Sequence, residues 1–307
     1  MNMLQDTLVS ASTPFPYQTW LYQNPEAAKT LTRLYHQTLQ KLRLPLRSLF
    51  LETSFGKTHV LISGNQDLPP LLVLHGLNAS APSALEALEK LSGQYQLIGI
   101  DTIGQANYSQ AKERLSVADG SYGRWLEEIL LGLKIESAPF VSISYGAFVL
   151  QKLIAFAPKR IEKAIFVVPS GLANSSFSAY FRQLLLPLLR FRLSKKESDL
   201  KRFMGAFYTE IEAESLELHK TLLLGVKMDY RRPPELTLAE GKKLEAPVYA
   251  LLAEDDVFFP TPQTLKRLAA LFPHFKGYHI LKDAKHVPAL AQYEQMATQI
   301  QQWLGQK

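Results

Sequence analysis

Nine residues, Phe140-Val141-Ser142-Ile143-Ser144-Tyr145-Gly146-Ala147-Phe148, carry an apolar strand, a turn and the opening of a helix with no spare residue between them. A chain that passes from strand to helix this abruptly forces the turning residue into a strained backbone conformation, and the strain lifts its side chain clear of the sheet. Ser144 occupies that position. The strand and helix backbones nearly touch at such a turn, so the residues two before and two after the serine must be small; here they are Ser142 and Gly146. The usual pattern is G-x-S-x-G, and Ser142 is the departure from it. An ordinary strand-to-helix turn can look the same, so the meaning of Ser144 rests on what surrounds it.

What surrounds it is an alternation of strands and helices. Leu71-Leu72-Val73-Leu74 is apolar without interruption, which predicts a strand covered on both faces, and Tyr95 to Ile100, Ala164 to Val168 and Val248 to Leu252 read as further buried strands. Helical spacing separates them, so a mostly parallel sheet with right-handed crossovers is expected. Ahead of these, Phe50 to Thr53 and His59 to Ile62 flank Phe55-Gly56-Lys57, the pattern of an antiparallel hairpin at a sheet edge. Earlier still, Asn24-Pro25-Glu26 opens a leading helix. A helical stretch is expected around Ala84 to Leu91, a helix capped by Thr261 and Pro262 follows the Val248 strand, and Tyr278 to Leu281 reads as the last strand. From about Gly171 to Glu245 the alternation breaks into helical patterns alone. The expected organisation is an N-terminal segment with its helix over 1–44, an α/β core over 45–170 and 246–307, and a helical cap inserted over 171–245.

Composition excludes several chemistries. The absence of cysteine removes disulfides, thiolate metal ligands and a cysteine nucleophile, and it fits a reducing compartment, so a cytoplasmic protein is expected. Met1 to Trp20 has neither a basic start nor an apolar core of leader length, so neither a leader nor an anchor is expected. The net charge is +6, yet no basic run is interleaved with aromatics in a nucleic-acid motif, and no nucleic-acid partner is expected. His36, His59, His219, His274 and His279 share no metal-ligand spacing, and Gly104 lies outside G-x-G-x-x-G spacing, so neither a metal nor a cofactor is expected. The excess charge concentrates between Arg182 and Arg202, where seven basic residues accompany Glu197 and Asp199 among many leucines. This stretch reads as a cap helix burying its leucines over the site with its charges in water, broken or kinked at Pro187. A lid in contact with a membrane surface is the less favoured alternative.

A serine hydroxyl is a poor nucleophile until a base, itself held by an acid, lies within hydrogen-bond reach. The strand ending at Leu252 runs into Ala253-Glu254-Asp255-Asp256-Val257-Phe258-Phe259-Pro260, and the last strand ends in Lys282-Asp283-Ala284-Lys285-His286. Loops at the carboxyl ends of parallel strands gather on one rim, so Ser144, Asp256 and His286 are expected to meet there. Asp256 is favoured over Asp255 by its spacing to Pro260.

In the order serine, aspartate, histidine, with a His75-Gly76 turn, an A-x-x-D-x-x-x-P loop at Asp256 and an A-x-H loop at His286, residues 45 to 305 resemble an α/β-hydrolase. The leading helix, the FGKTHVLISG hairpin and the D-x-I-G-x-x-N-x-S loop from Asp101 resemble bacterial carboxylesterases of the naproxen-esterase type. That resemblance implies a serine hydrolase acting on a carboxylic ester through an acyl-enzyme, with the backbone N–H groups of Leu77 and Tyr145 as oxyanion donors. His75 would shape the turn, and the loop from Gly104 to Ser109 would support the site. Phe148, Phe258 and Phe259 are candidate walls of an apolar pocket. Thioester, lactone and carbon–carbon hydrolysis use the same three groups, whereas a serine at the elbow argues against haloalkane dehalogenation, which needs a carboxylate there. A non-catalytic module of the same fold, binding a hydrophobic small molecule or a protein, is the alternative reading.

Overall fold

The computed structural model describes residues 8–10, 12–229 and 231–306; part of the Met1 to Trp20 stretch read above for a leader or anchor lies outside them. The first helix, α1 (Pro25–Lys41), starts where its sequence signals it: the Asn24 side chain accepts the Ala27 N–H and Pro25 fills the first turn. The hairpin follows as β1 (Leu46–Thr53) and β2 (Gly56–Ser63), turning at Gly56 with φ 138°, a conformation that favours glycine.

The core then alternates. Strand β3 (Pro70–Leu74) leads through α2 (Ala81–Glu86) to β4 (Gln96–Ile100), and β5 (Gln110–Ala111) is a short addition to β2. After α3 (Ser121–Leu133) come β6 (Ala138–Ile143), α4 (Tyr145–Phe156) and β7 (Ile161–Val167). Among the described residues, five α-helices occupy the interval to the next strand: α5 (Phe177–Tyr180), α6 (Leu186–Ser194), α7 (Glu197–Met204), α8 (Ala213–Gly225) and α9 (Leu238–Gly241). The sheet resumes with β8 (Val248–Ala253), α10 (Thr261–Leu271), β9 (Phe275–Leu281) and the closing α11 (Tyr293–Gly305).

Strand order is β1-β2-β4-β3-β6-β7-β8-β9, antiparallel from β1 to β4 and parallel from there on. The chain moves from β3 to β4 on one side and returns to place β6 on the other. The carboxyl ends of β3 and β6 therefore border the switch point where ligands bind in open α/β sheets. The uninterrupted apolar runs follow from burial on both faces. Phe140 and Leu252 join the core under α3, α4 and α10, while Val141 and Leu251 join the core under α1, α2 and α11. A third cluster, built on Phe191, Leu200, Met204 and Phe207, fills the space beneath α6 and α7.

Two predicted elements shift. The helical stretch expected from Ala84 begins at Ala81, because the Asp101 carboxylate accepts the Ala81 N–H at the helix start, and it gives way to a 3₁₀ turn over Glu89–Gly93. Burial would push the Asp101 carboxyl up, but hydrogen bonds from His59 and Ala81 and the nearby histidines hold it below the usual range. Thr261 does not cap α10; its hydroxyl donates to the Ala253 carbonyl at 2.8 Å and braces the loop after β8.

Candidate active site

Ser144 ends β6 with φ 50° and ψ −110°, in the positive-φ region that strains any residue with a side chain. Its N–H donates to Val167 O at 2.9 Å and its carbonyl accepts from Ala147 and Ser170, so the elbow is fastened to β7 and the loop beyond. Gly146 is obligatory here: a Cβ would lie 2.5 Å from the Leu74 carbonyl oxygen of β3. Ser142 is tolerated because it is fully buried beside β7, where its hydroxyl donates to Ile165 O at 3.3 Å. Val168 also sits at positive φ, 41°, a second strained residue on the rim, held by its N–H to Leu251 O.

The three acids after β8 separate by environment. Glu254 is exposed and paired with Lys282 at 2.6 Å, Asp255 is exposed, and Asp256 is buried. One carboxylate oxygen of Asp256 accepts the N–H groups of Phe258 and Phe259 at 2.8 and 3.1 Å; the other lies 2.8 Å from His286 Nδ1. An ionised carboxylate only accepts, so Nδ1 carries the hydrogen and Nε2 is left with its lone pair. Ser144 Oγ lies 2.9 Å from that Nε2. The rings of Phe258 and Phe259 stand edge-on to the imidazole at 4.8 and 5.4 Å. The loop carrying His286 is fixed from above: Thr209 N–H donates to Val287 O, Val287 N–H to Phe207 O, and Lys285 Nζ to Gly205 O.

Across the rim, the turn after β3 lies against the serine; a Cβ on Gly76 would be 3.5 Å from Ser144 Cβ. His75 is fully buried, with Nδ1 donating to Gly76 O at 2.7 Å and Nε2 accepting the Thr102 N–H at 2.9 Å. Burial holds its pKa below the ordinary value, in keeping with a neutral ring that shapes the turn. Among the described residues, the N–H groups of Leu77 and Tyr145 donate to no backbone acceptor. Sequence reasoning passed over Gln105, whose side-chain oxygen takes the Asn78 N–H at 2.6 Å and holds that residue at φ 58°. Its only signal was its place in the D-x-I-G-x-x-N-x-S loop, where Asn107 and Ser109 likewise tie down Thr102 O and Asp101 O.

Ser144 and His286 open into a cavity of about 720 Å³. Phe258 and Phe259 line it, with Leu31 and Leu34 of α1 and Leu184 and Phe207 from the helical interval. Phe148 does not. It is fully buried in the core with its ring against Tyr122 and Tyr145, because α4 turns that face toward α3. Two polar residues line it that the sequence did not place there, Tyr208 and His219, the latter considered only as a metal ligand; their rings meet edge-on at 5.2 Å. Burial pushes the Tyr208 hydroxyl up to about 12 and the His219 imidazole down to about 4. Among the described residues no group of three or more His, Cys, Asp or Glu is placed to hold a metal ion.

The family model for the alpha/beta hydrolase fold matches residues 69–291. The chain belongs to that family. It is similar to carboxylesterase YbfK of Bacillus subtilis strain 168, 24% identical over 285 residues that make up 88% of this chain and 91% of that protein. A second relative from the same organism, the uncharacterized carboxylesterase nap, is 24% identical over 268 residues, 84% of this chain and 86% of its own. The crystal structure of naproxen esterase from Bacillus subtilis superposes with a TM-score of 0.78 at 21% identity, over 92% of this chain and 100% of that one. The chain is thus a carboxylesterase-like member of the α/β-hydrolase family.

Proposed function

We propose that the chain is a serine esterase that cleaves carboxylic esters of small or medium apolar substrates through an acyl-enzyme intermediate. The observation that carries this reading is the unbroken line from Asp256 through His286 to Ser144 Oγ, at 2.8 and 2.9 Å, at the floor of an apolar cavity. In this reading His286 Nε2 takes the proton as Ser144 Oγ attacks the ester carbonyl, and Asp256 stabilises the imidazolium. Charge on the carbonyl oxygen is met by the N–H groups of Leu77 and Tyr145. Collapse expels the alkoxide, which His286 protonates; water then attacks the acyl-enzyme, His286 takes its proton, and the acid leaves as Ser144 recovers its hydrogen. Residues 171–245 act as the cap, Phe258 and Phe259 as walls, and the lack of cysteine suits the cytoplasm.

The test is a p-nitrophenyl ester series from acetate to laurate with wild type and Ser144→Ala. The expected result is hydrolysis by wild type with a preferred chain length set by the cavity, and a loss of roughly 10⁴-fold or more in the variant. Equal background rates from both proteins across the series would reject the esterase reading and favour the binding module.

A further inference from the structure

From Phe177 to Ser194 the chain is one continuous helix made of α5, a π turn at Phe181–Leu185, and α6. Six of the fourteen large apolar side chains exposed among the described residues fall on it. Phe177 is 78% exposed, Leu186 53%, Leu189 45% and Leu193 87%. With Phe181 these residues follow at steps of four, five, three and four. In an uninterrupted α-helix of 3.6 residues per turn, the five-residue step would swing Leu186, Leu189 and Leu193 about a third of a turn away from Phe177 and Phe181. That step falls across the π turn, whose wider i→i+5 spacing absorbs it and puts both groups on one side. The expectation that this helix buries its leucines therefore holds only for its inner face, where Leu184 and Phe191 join the cluster under α7.

Cations border the outer stripe: Arg182 and Arg190 lie within it in sequence, Arg190 paired with Asp199 at 2.6 Å, and Arg192, Lys195 and Lys196 close its end. The inner side of the same helix, through Tyr180, Leu184, Leu185 and Leu188, lines the cavity that holds Ser144, and Phe177 at its start borders both the cavity and the stripe. The remainder of the interval is fastened elsewhere. The segment 205–209 is bonded to the His286 loop, α8 packs against α1, and the Gln23 to Gly225 and Lys227 to Leu21 backbone bonds tie the end of α8 to the chain just ahead of α1. No helix among the described residues is long and apolar enough to cross a membrane.

We propose that the outer face of this helix is a docking surface for an anionic phospholipid bilayer. An apolar stripe bordered by Arg and Lys is what an interfacial helix offers: the side chains enter the acyl boundary while the cations stay among the headgroups. Docking in this pose sets the Ser144 cavity against the lipid on the far side of a single helix. The surface is independent of the hydrolytic reading, and its test does not use turnover.

The probe is Ser144→Ala protein sedimented with phosphatidylcholine vesicles, with and without phosphatidylglycerol. Binding is expected only with phosphatidylglycerol, weakening with salt, and falling roughly tenfold or more when Leu186, Leu189 and Leu193 are all changed to Ser. Arg182→Gln with Lys195→Gln and Lys196→Gln should remove the phosphatidylglycerol dependence. None of these side chains lines the cavity, so the Leu→Ser set placed on unchanged Ser144 should hydrolyse a soluble short-chain ester at the wild-type rate, which tests the site separately. Sedimentation velocity and thermal unfolding establish that the variants fold. No binding to either vesicle, binding that survives the Leu→Ser set, or a wild-type dimer that the set dissolves into monomers would overturn the proposal; the last would mean that a second copy covers the face.

Discussion

Replacing Asp256 by Asn tests the site at its least accessible member. The variant amide oxygen can still accept the N–H groups of Phe258 and Phe259, which reach one carboxylate oxygen at 2.8 and 3.1 Å. That fixes the amide nitrogen toward His286 Nδ1, where the carboxylate stood 2.8 Å away. An amide N–H donates, so Nδ1 must become an acceptor and the ring proton moves to Nε2. Nε2–H then donates to Ser144 Oγ across the same 2.9 Å, so the lone pair that would take the serine proton is gone and the serine has no base. The expected loss is about 10⁴-fold in kcat, ~5 kcal/mol of transition-state stabilisation. KM should change little, because Asp256 stands behind His286 and does not line the cavity. Stability should fall by about 1 kcal/mol, one hydrogen bond having been exchanged for a poorer one. The assay is p-nitrophenyl butyrate hydrolysis with urea unfolding in parallel, and Asp255→Asn as the control, expected to keep near wild-type activity because its carboxylate is exposed. An Asp256→Asn enzyme retaining more than a tenth of the rate, or an Asp255→Asn enzyme losing as much as it, would refute this assignment of the acid.

Other substitutions separate the site from its support. Gly146→Ala drives a Cβ to 2.5 Å from Leu74 O, with backbone on both sides of the clash, and should cost about 3 kcal/mol in urea unfolding or abolish folding. Phe148→Ala should cost about 3–5 kcal/mol while leaving KM unchanged, whereas Phe259→Ala should raise KM for butyrate and lower kcat, because only the second ring meets both cavity and imidazole. His219, held near 4 by burial, stays neutral in the folded chain while the unfolded chain protonates near 6.5. More protons bind to the unfolded state in that window, so stability rises with pH through it and is lost as pH falls from about 6.5 toward 4. Because the ring borders the cavity, its share is discounted to about 1–3 kcal/mol. His219→Gln should flatten that part of a pH-dependent unfolding curve, and an unchanged slope would show the ring to be solvated.

The parts that could be read in the sequence are those where burial leaves one arrangement. Strands β3, β6, β7 and β8 are covered on both faces, so apart from the buried Ser142 their central runs are apolar and their ends are marked by the first residues that meet the rim. Ser144 and Asp256 sit just past such ends, at β6 and β8, His286 lies in the loop after β9, and the order of loops along the rim brings the three together. Strand β9 alternates between exposed and half-buried positions at the sheet edge, and only its last four residues carried a signal. Phe148 was misplaced for the converse reason. Helix α4 is buried at every position from Tyr145 to Gln151, so no periodicity says which face meets α3 and which meets the cavity. The leucines of the helical interval are harder again. A stripe at steps of four, five, three and four has no single period, and it becomes one face only through the π turn just ahead of Pro187. Pro187 was expected to break or kink this helix because it lacks an N–H for the carbonyl four residues back. The helix is not broken there: it runs on through Pro187 behind the π turn, and the same widened turn brings its exposed apolar residues to one face.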